Sequence, residues 1–364
     1  MKKANRFISI AALALLASLL SACGGTPAAQ SWPGLAADDT AAYLANGAVV
    51  YAVNLKDGEQ LWQFPAEGEV DAKLAFYSNP VFTSDGQLLV GSSGTTNTLF
   101  RLDPANEGRE TWSFAGADDH WVASPLVVGE TVYAPNANGT LYVFDMSIQG
   151  DDKLAWTITL GGKLWSSPVA DDQFVYVVSL DHQVHAVNIA TRELAWSVEL
   201  DGANTGAPAL ANDLLIVGSF SETLNAFHVA DGSPAWSAPA KAWVWSAPIV
   251  DGDTLYFADL DGNFYALNAA DGTALMDSIR PDGPVVASPL PFNGKVILVA
   301  ENGTVYAIDA EGKFRSLETF KGKLYTAPVI AGDVILVAPF KGDFLLAALD
   351  QDGGIVWRFP KEEK

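Results

Sequence analysis

One motif returns along the chain at nearly constant spacing, and this periodicity limits the fold more than any single residue does. A short residue followed by proline occurs at Asn79-Pro80, Ser124-Pro125, Ser167-Pro168, Ala207-Pro208, Ala247-Pro248, Ser288-Pro289 and Ala327-Pro328, with successive prolines 39 to 45 residues apart. A second marker, tryptophan, stands near the end of most units: Trp62, Trp112, Trp156, Trp196, Trp236 and Trp357. Met276 and Ser316 fall at the two intervening positions. Pro33-Gly34 opens a further unit, whose 21 residues to Asn54 align without a gap on Pro248 to Asn268. The chain thus holds eight copies of a unit of about 41 residues, the length range of repeat architectures.

Each copy reads as four short strands separated by turn residues. In the copy that begins at Ala247 the first strand spans 247–250 and stops at Asp251-Gly252. The second, 254–260, is rich in aromatic and apolar residues and ends at Asp261-Gly262, a hairpin signal. The third spans 263–268 and closes at Asp271-Gly272, and the fourth spans about 274–279. Asn138-Gly139 and Asn302-Gly303 occupy the same turn as Asp261-Gly262. A four-stranded antiparallel sheet repeated at this period is a propeller blade, and a ring of blades leaves no long exposed edge. The expected fold is all-β: a single eight-bladed β-propeller of four-stranded antiparallel blades.

The pattern SP…(L/V)Y…DG.LYALNA.DG….W resembles the PQQ-type repeat of quinoprotein dehydrogenases and of the outer-membrane assembly lipoproteins of the BamB family. The resemblance runs over nearly the whole chain after the leader. It implies that the tryptophans dock between neighbouring blades. It also implies that the strand after each proline lies nearest the central channel. On fold alone it leaves binding proteins and enzymes both open.

The first 22 residues form a separate segment. MKKANR is basic, and the 14 apolar residues that follow are too few to span a membrane but suit a secretory signal. Leu20-Ser21-Ala22-Cys23 resembles a bacterial lipobox, which implies cleavage before Cys23, acylation of its thiol and export. The expected organisation is a signal peptide at 1–22, a lipidated tether at 23–31, the propeller at 32–360 and a charged tail at 361–364. Anchoring would be through lipid only, on the periplasmic face of an outer membrane or, in a host with one membrane, on the outer face of the cytoplasmic membrane. Cys23 is the single cysteine, so an intramolecular disulfide or a thiolate metal site is excluded. Forty-three acidic against 21 basic residues, a net charge of −22, oppose binding to nucleic acid.

Few residues suggest chemistry. The Asp259-Leu260-Asp261-Gly262 run hints at a calcium loop but is replaced by Ser179-Leu180-Asp181-His182 and Pro339-Phe340-Lys341-Gly342 in other copies, which keep the turn and lose the ligands. His120, His182, His185 and His228 form no zinc motif. No nucleotide or hydrolase motif is found. The quinoprotein enzymes are longer and carry a vicinal disulfide that one cysteine cannot supply, so no cofactor is expected, with pyrroloquinoline quinone kept as the alternative.

The exceptions within the repeat are more informative. Three residues before the proline stand Tyr77, Trp165, Trp245 and Tyr325 in even-numbered units, against Val122, Thr205 and Val286 in odd ones. Trp121 and Trp243 lie further upstream. These four aromatics form a candidate binding rim at one mouth of the channel, or else wedges at alternate blade junctions. The functional expectation is a non-catalytic, monomeric binding scaffold of the cell envelope with a protein partner. A surface receptor for ligand or polymer and a quinone-dependent dehydrogenase are the alternatives. Residues 79–106, with their GSSGTTNT insertion, and 145–153 depart furthest from the repeat.

Overall fold

The computed structural model of the protein describes residues 31–361 apart from 72 and 95, so the leader and Cys23 lie outside the described residues. Eight antiparallel sheets follow one another along the chain, each built from consecutive strands. We number the blades 1 to 8 and letter their strands a to d. In blade 4, for example, these are Val169–Ala170, Phe174–Val178, Gln183–Asn188 and Leu194–Glu199. The a strands of neighbouring blades touch, including Gly34–Ala37 of blade 1 and Val329–Ala331 of blade 8, so strand a is innermost around a central axis. Antiparallel order then puts the d–a and b–c connections on one face of the disc and the a–b and c–d turns on the other.

The burial pattern follows from this stacking. Middle strands are covered on both faces and read as continuous apolar runs, as in the fully buried Phe174–Val178. Outer strands have one covered face and alternate: along Leu154–Thr159 every second residue is exposed.

The tryptophans join the blades, and a glycine receives them. Trp62, Trp196, Trp236 and Trp357 each lie over the glycine of the c–d turn in the following blade: Gly108, Gly232, Gly272 and Gly58, in that order. A Cβ on any of these glycines would sit 2.4–2.8 Å from the indole, and each has a positive φ besides. The turn glycine is therefore fixed twice, by backbone conformation and by the ring above it. Indole N–H groups tie two of these seams and the one between blades 2 and 3: Trp196 Nε1 donates to Val229 O at 2.9 Å, Trp357 Nε1 to Leu55 O at 2.6 Å and Trp112 Nε1 to Asp151 O at 2.7 Å. A β-bulge beside each tryptophan turns it outward; in blade 4 Ala186 pairs Trp196 while Val187 pairs Leu194. An indole buries ~150–250 Å², or roughly 4–6 kcal/mol of gross apolar gain at ~25 cal/mol per Å².

Three blades depart from the pattern. In blade 6 the expected fourth strand is not continuous: only Phe264–Ile279 and Leu267–Ala274 form bridges, and the chain between them leaves the sheet. Met276 reaches Gly312 with its terminal methyl but is too narrow to fill an indole's place, and a cavity of about 320 Å³ opens beside it. In blade 7 the bulge moves to between Val305 and Tyr306, leaving Leu317 as the extra residue. The Leu317 backbone covers Gly353, and the exposed Arg315 bridges to Asp352, with Nη2 3.1 Å from Oδ1. Ser316 itself is exposed. In blade 2 the inner strand is split into Ala75–Phe76 and Val81–Phe82, giving five strands where four were expected.

Among the described residues the ring closes without a strand exchanged between its first and last blades. Blade 1 uses residues 34–64 and blade 8 uses 329–359. Leu35, Leu44 and Val53 share one apolar cluster with Leu336, Ala348 and Trp357, and Lys361 pairs Glu59 at 2.9 Å. A belt of hydrogen bonds around the axis reinforces it. Leu35 N donates to Asn79 Oδ1 (3.0 Å), Asn79 N to Ser124 Oγ (2.9 Å), Ser124 N to Ser167 Oγ (3.2 Å) and Ala247 N to Ser288 Oγ (3.2 Å). Where the residue before the proline is asparagine or serine it thus serves the backbone of the preceding blade, and Ala207, Ala247 and Ala327 interrupt the belt.

Two outcomes are expected. Trp196→Ala lowers unfolding free energy by ~3 kcal/mol, and Gly232→Ala by ~1–3 kcal/mol. The double variant costs less than the sum, because the clash disappears with the ring; urea unfolding of the four proteins measures this cycle. Hydrogen exchange should be faster at 274–279 and 314–319 than at 194–199. Uniform protection around the ring would reject weak seams beside blade 7.

Candidate binding mouth

Six connections on one face share a single device that holds the channel mouth in shape. A b–c turn residue donates its backbone N–H to the carbonyl five residues before the blade's proline. The bonds are Ala137 to His120, Leu180 to Lys163, Phe220 to Ala203, Leu260 to Trp243, Glu301 to Pro284 and Phe340 to Lys323, at 2.7–3.0 Å. Each d–a connection is thereby pinned to a rigid hairpin, and its next residues alternate in and out. Leu164, Val244 and Leu324 point into the core, while their neighbours face the mouth.

All eight blades line this mouth, in a cavity of about 260 Å³. Tyr77, Trp165, Trp245 and Tyr325 are brought together there, with Val122, Thr205 and Val286 between them. Trp165 is 40 % exposed and Trp243 48 %, while Tyr77, Trp245 and Tyr325 are half-buried. Trp121, by contrast, is fully buried beneath the long b–c loop of blade 2, its Nε1 donating to Asn97 O at 3.0 Å.

Three further aromatics were not singled out by the repeat. Trp32 breaks the alternation: it projects from blade 1 to within 6.4 Å of the Trp245 ring and 5.7 Å of Tyr325. Phe220 lies parallel to both Trp243 and Trp245, at 5.2 Å from each. Phe340 stands 5.7 Å from Tyr325. Six rings thus form one ribbon across the mouth, in the order Trp243, Phe220, Trp245, Trp32, Tyr325, Phe340. The available signal for the last members was an aromatic at the b–c turn of blades 5 and 8, where blades 4 and 6 carry Leu180 and Leu260.

Cations collect here although the chain as a whole is acidic. Lys163, Lys241, Lys321 and Lys323 come from the d–a connections of even blades and Lys341 from a turn. Lys163 Nζ lies 3.0 Å from Asp119 Oδ2, and Lys321 Nζ 2.6 Å from Asp343 Oδ1. Lys323 and Lys341 sit over the Tyr325 and Phe340 rings, at 5.6 and 5.0 Å. Lys323 also bonds Glu301, which accepts from Tyr325 Oη at 3.1 Å. The Lys323 bond holds the Glu301 carboxyl below its ordinary range against the opposing effect of partial burial, and raises Lys323 in turn.

The other chemistry-bearing residues are used structurally. Asp259 is fully buried; Oδ1 accepts from Asn263 N at 2.9 Å and Oδ2 from Tyr265 Oη at 2.7 Å. His182 takes the turn at φ 72°. His185 lies between Ser197 (3.1 Å) and Ser179 (3.4 Å), and burial lowers its pKa against the pull of Asp181. His120 and His228 are on separate blades, facing Asp119 and Asp213.

Pyrroloquinoline quinone finds no counter-charge along the channel lining. It is a planar tricarboxylate, and the residues lining the channel include no lysine or arginine to meet its charges.

The geometry defines a class: an eight-bladed propeller of four-stranded blades with an aromatic, cation-edged mouth on its d–a face. The chain belongs to the family described as outer membrane protein assembly factor BamB, whose model matches residues 24–148, 148–205, 183–285 and 277–364. Among solved structures it is similar to BamB from Moraxella catarrhalis, at 18 % identity and a TM-score of 0.69, covering 92 % of this chain and 95 % of that one. It is equally similar to the computationally designed Ika8 protein, at 15 % identity and a TM-score of 0.70 over 90 % of this chain and 96 % of the other. Both likenesses are of fold. A comparison with curated proteins gave no match.

The Glu301 contact makes a pH prediction. Because its carboxyl titrates below 4.5 when folded, the contribution of the contact is present at neutral pH and lost only as pH falls through that lowered value. A carboxyl NMR titration should place the Glu301 midpoint below 4.5, moving up in Lys323→Ala. A midpoint at or above 4.5 in the unmodified protein would show that the pair does not form in solution.

Proposed function

We propose that the protein is a non-catalytic scaffold of the cell envelope, held to a membrane by acylated Cys23, which docks an envelope protein at the aromatic mouth. The observation that carries this reading is the ribbon of six rings on pinned connections. Accessible Trp165, Trp243 and Trp32 supply large apolar area with few rotamers to fix, the composition of binding hot spots. Lys163, Lys241, Lys321 and Lys323 set cations beside these rings, alternating with Asp119, Asp201 and Asp282 on the same face, a pattern that would orient an approaching partner. Membership of a family named for outer-membrane assembly supports a β-barrel protein as the partner class. The ribbon also favours a second reading, a receptor for a sugar polymer or planar ligand, because stacked rings present their faces to such groups. Quinone-dependent oxidation has no comparable support, since the residues that line the channel below the lysine edge include no lysine or arginine.

The test uses the chain without its acyl group as bait on detergent-solubilised envelope. Recovery of a β-barrel protein should fall at least ~10-fold with Trp165→Ala/Trp245→Ala, given ~2 kcal/mol for each central aromatic. Recovery that ignores the double substitution would place docking elsewhere. Saturable quenching of tryptophan fluorescence by oligosaccharide, with no protein recovered, would favour the receptor. Dye reduction on adding quinone and Ca²⁺ would refute the non-catalytic reading.

A further inference from the structure

The cleft between blades 6 and 7 lies at the a–b and c–d turns, away from the mouth. We propose that it is a binding site for a planar N–H aromatic group, an indole or its close equivalent, which takes the place that tryptophan fills at other seams. Four observations converge on it. Trp62, Trp196, Trp236 and Trp357 each cover the c–d glycine of the next blade, whereas here Gly312 is covered by the narrow thioether end of Met276, with the Ile279 Cγ2 methyl beside it. The unfilled space is about 320 Å³, at the lower end of small-ligand pockets. Its lining suits a flat apolar ring: Phe264, Val296 and Ile308 are buried, and Tyr256 stacks on Phe264 at 5.8 Å and 15°.

The fourth observation concerns the indole N–H. At two seams it donates to the residue that follows the end of strand c, Leu55 O in blade 1 and Val229 O in blade 5. Ala310 occupies the corresponding place in blade 7, two residues after the end of Thr304–Ile308, in the turn Asp309-Ala310-Glu311-Gly312 that matches Asn54-Leu55 and His228-Val229. It lines the cleft. The site therefore pairs an apolar wall with a backbone carbonyl at the position where two other seams satisfy an indole N–H. Leu275, 54 % exposed at the rim, extends the apolar approach, and Asp251, Lys295 and Asp309 surround the opening.

Such a ring can come from a free small molecule or from a tryptophan side chain of a partner. Methionine-methyl NMR on the acyl-less chain separates these. The sequence has three methionines, Met1, Met146 and Met276, and only the last lies in the cleft. Free indole should shift the Met276 methyl saturably and leave Met146, in its blade 3 cluster, unmoved. A peptide with one central tryptophan that produces the same shift, and competes with indole, identifies a side chain as an occupant; a response to indole alone identifies a small molecule. Met276→Trp should weaken indole binding at least ~10-fold and raise the thermal midpoint. Absence of a saturable shift with both probes in the unmodified protein overturns the proposal. So does indole binding that survives Met276→Trp.

Discussion

The packing of one blade's indole on the next blade's turn glycine is the contact on which the ring depends. A single four-stranded sheet with two apolar faces cannot fold alone; it needs a neighbour on each side, and the last sheet must find the first. Here, among the described residues, no strand is shared between the first and last blades, so closure rests on side chains: Trp357 over Gly58, its N–H on Leu55, and the cluster of Leu35, Leu44 and Leu336. The seam that joins the chain ends is therefore built like the seams within it. It carries the same tryptophan and glycine that Trp196 and Gly232 provide between blades 4 and 5.

The two faces of the disc are built from different connections. On the d–a face, short loops are pinned by the b–c turns, and the belt through Asn79, Ser124 and Ser167 links neighbouring blades around the axis. Side chains set on such loops keep their spacing, so Phe220 can lie parallel to two indoles at once. The opposite face holds the glycine turns and receives the tryptophans. Blade 6 loses regularity on that second side while keeping it on the first. Its Trp243 and Trp245 are well placed at the mouth, although its outer strand is reduced to two bridges.

Fold was legible in the sequence because every copy repeats the same physical demands. Proline marks the inner strand, Asp-Gly or Asn-Gly the turn, tryptophan the seam. Each signal is local, and eight repetitions average away the exceptions. The mouth was legible in part, since Tyr77, Trp165, Trp245 and Tyr325 share a register position that the fold brings to the axis. Trp32 was not, because the first copy opens with Pro33-Gly34 and offers no matching aromatic position. Phe220 and Phe340 come from turns whose proximity to the mouth follows from antiparallel order, which only the assembled blade makes plain. The role of the Ser-Pro serine as acceptor for the blade before it is non-local, linking residues 43 or 45 apart. Met276 stands where other copies carry tryptophan, and the cavity beside it shows that a narrow side chain covers the glycine without replacing the breadth of an indole.

A repeated fold also separates what holds the molecule together from what distinguishes it. Had the lysines of the mouth been needed for the ring, they would recur in every copy, as the glycines nearly do. They occur instead on even blades, where the odd blades place Asp119, Asp201 and Asp282 on the same connections. Two sets of alternating charge on one face of an acidic disc contribute little to its stability, since exposed pairs such as Lys321–Asp343 are worth ~0–1 kcal/mol. Their effect is instead on the field at the mouth, where aromatic faces and ammonium groups lie side by side. A ligand drawn to that mouth must tolerate both. This favours a surface with exposed apolar groups and scattered carboxylates over one of uniform charge, and it argues against a nucleic acid, whose phosphates the remainder of the disc repels.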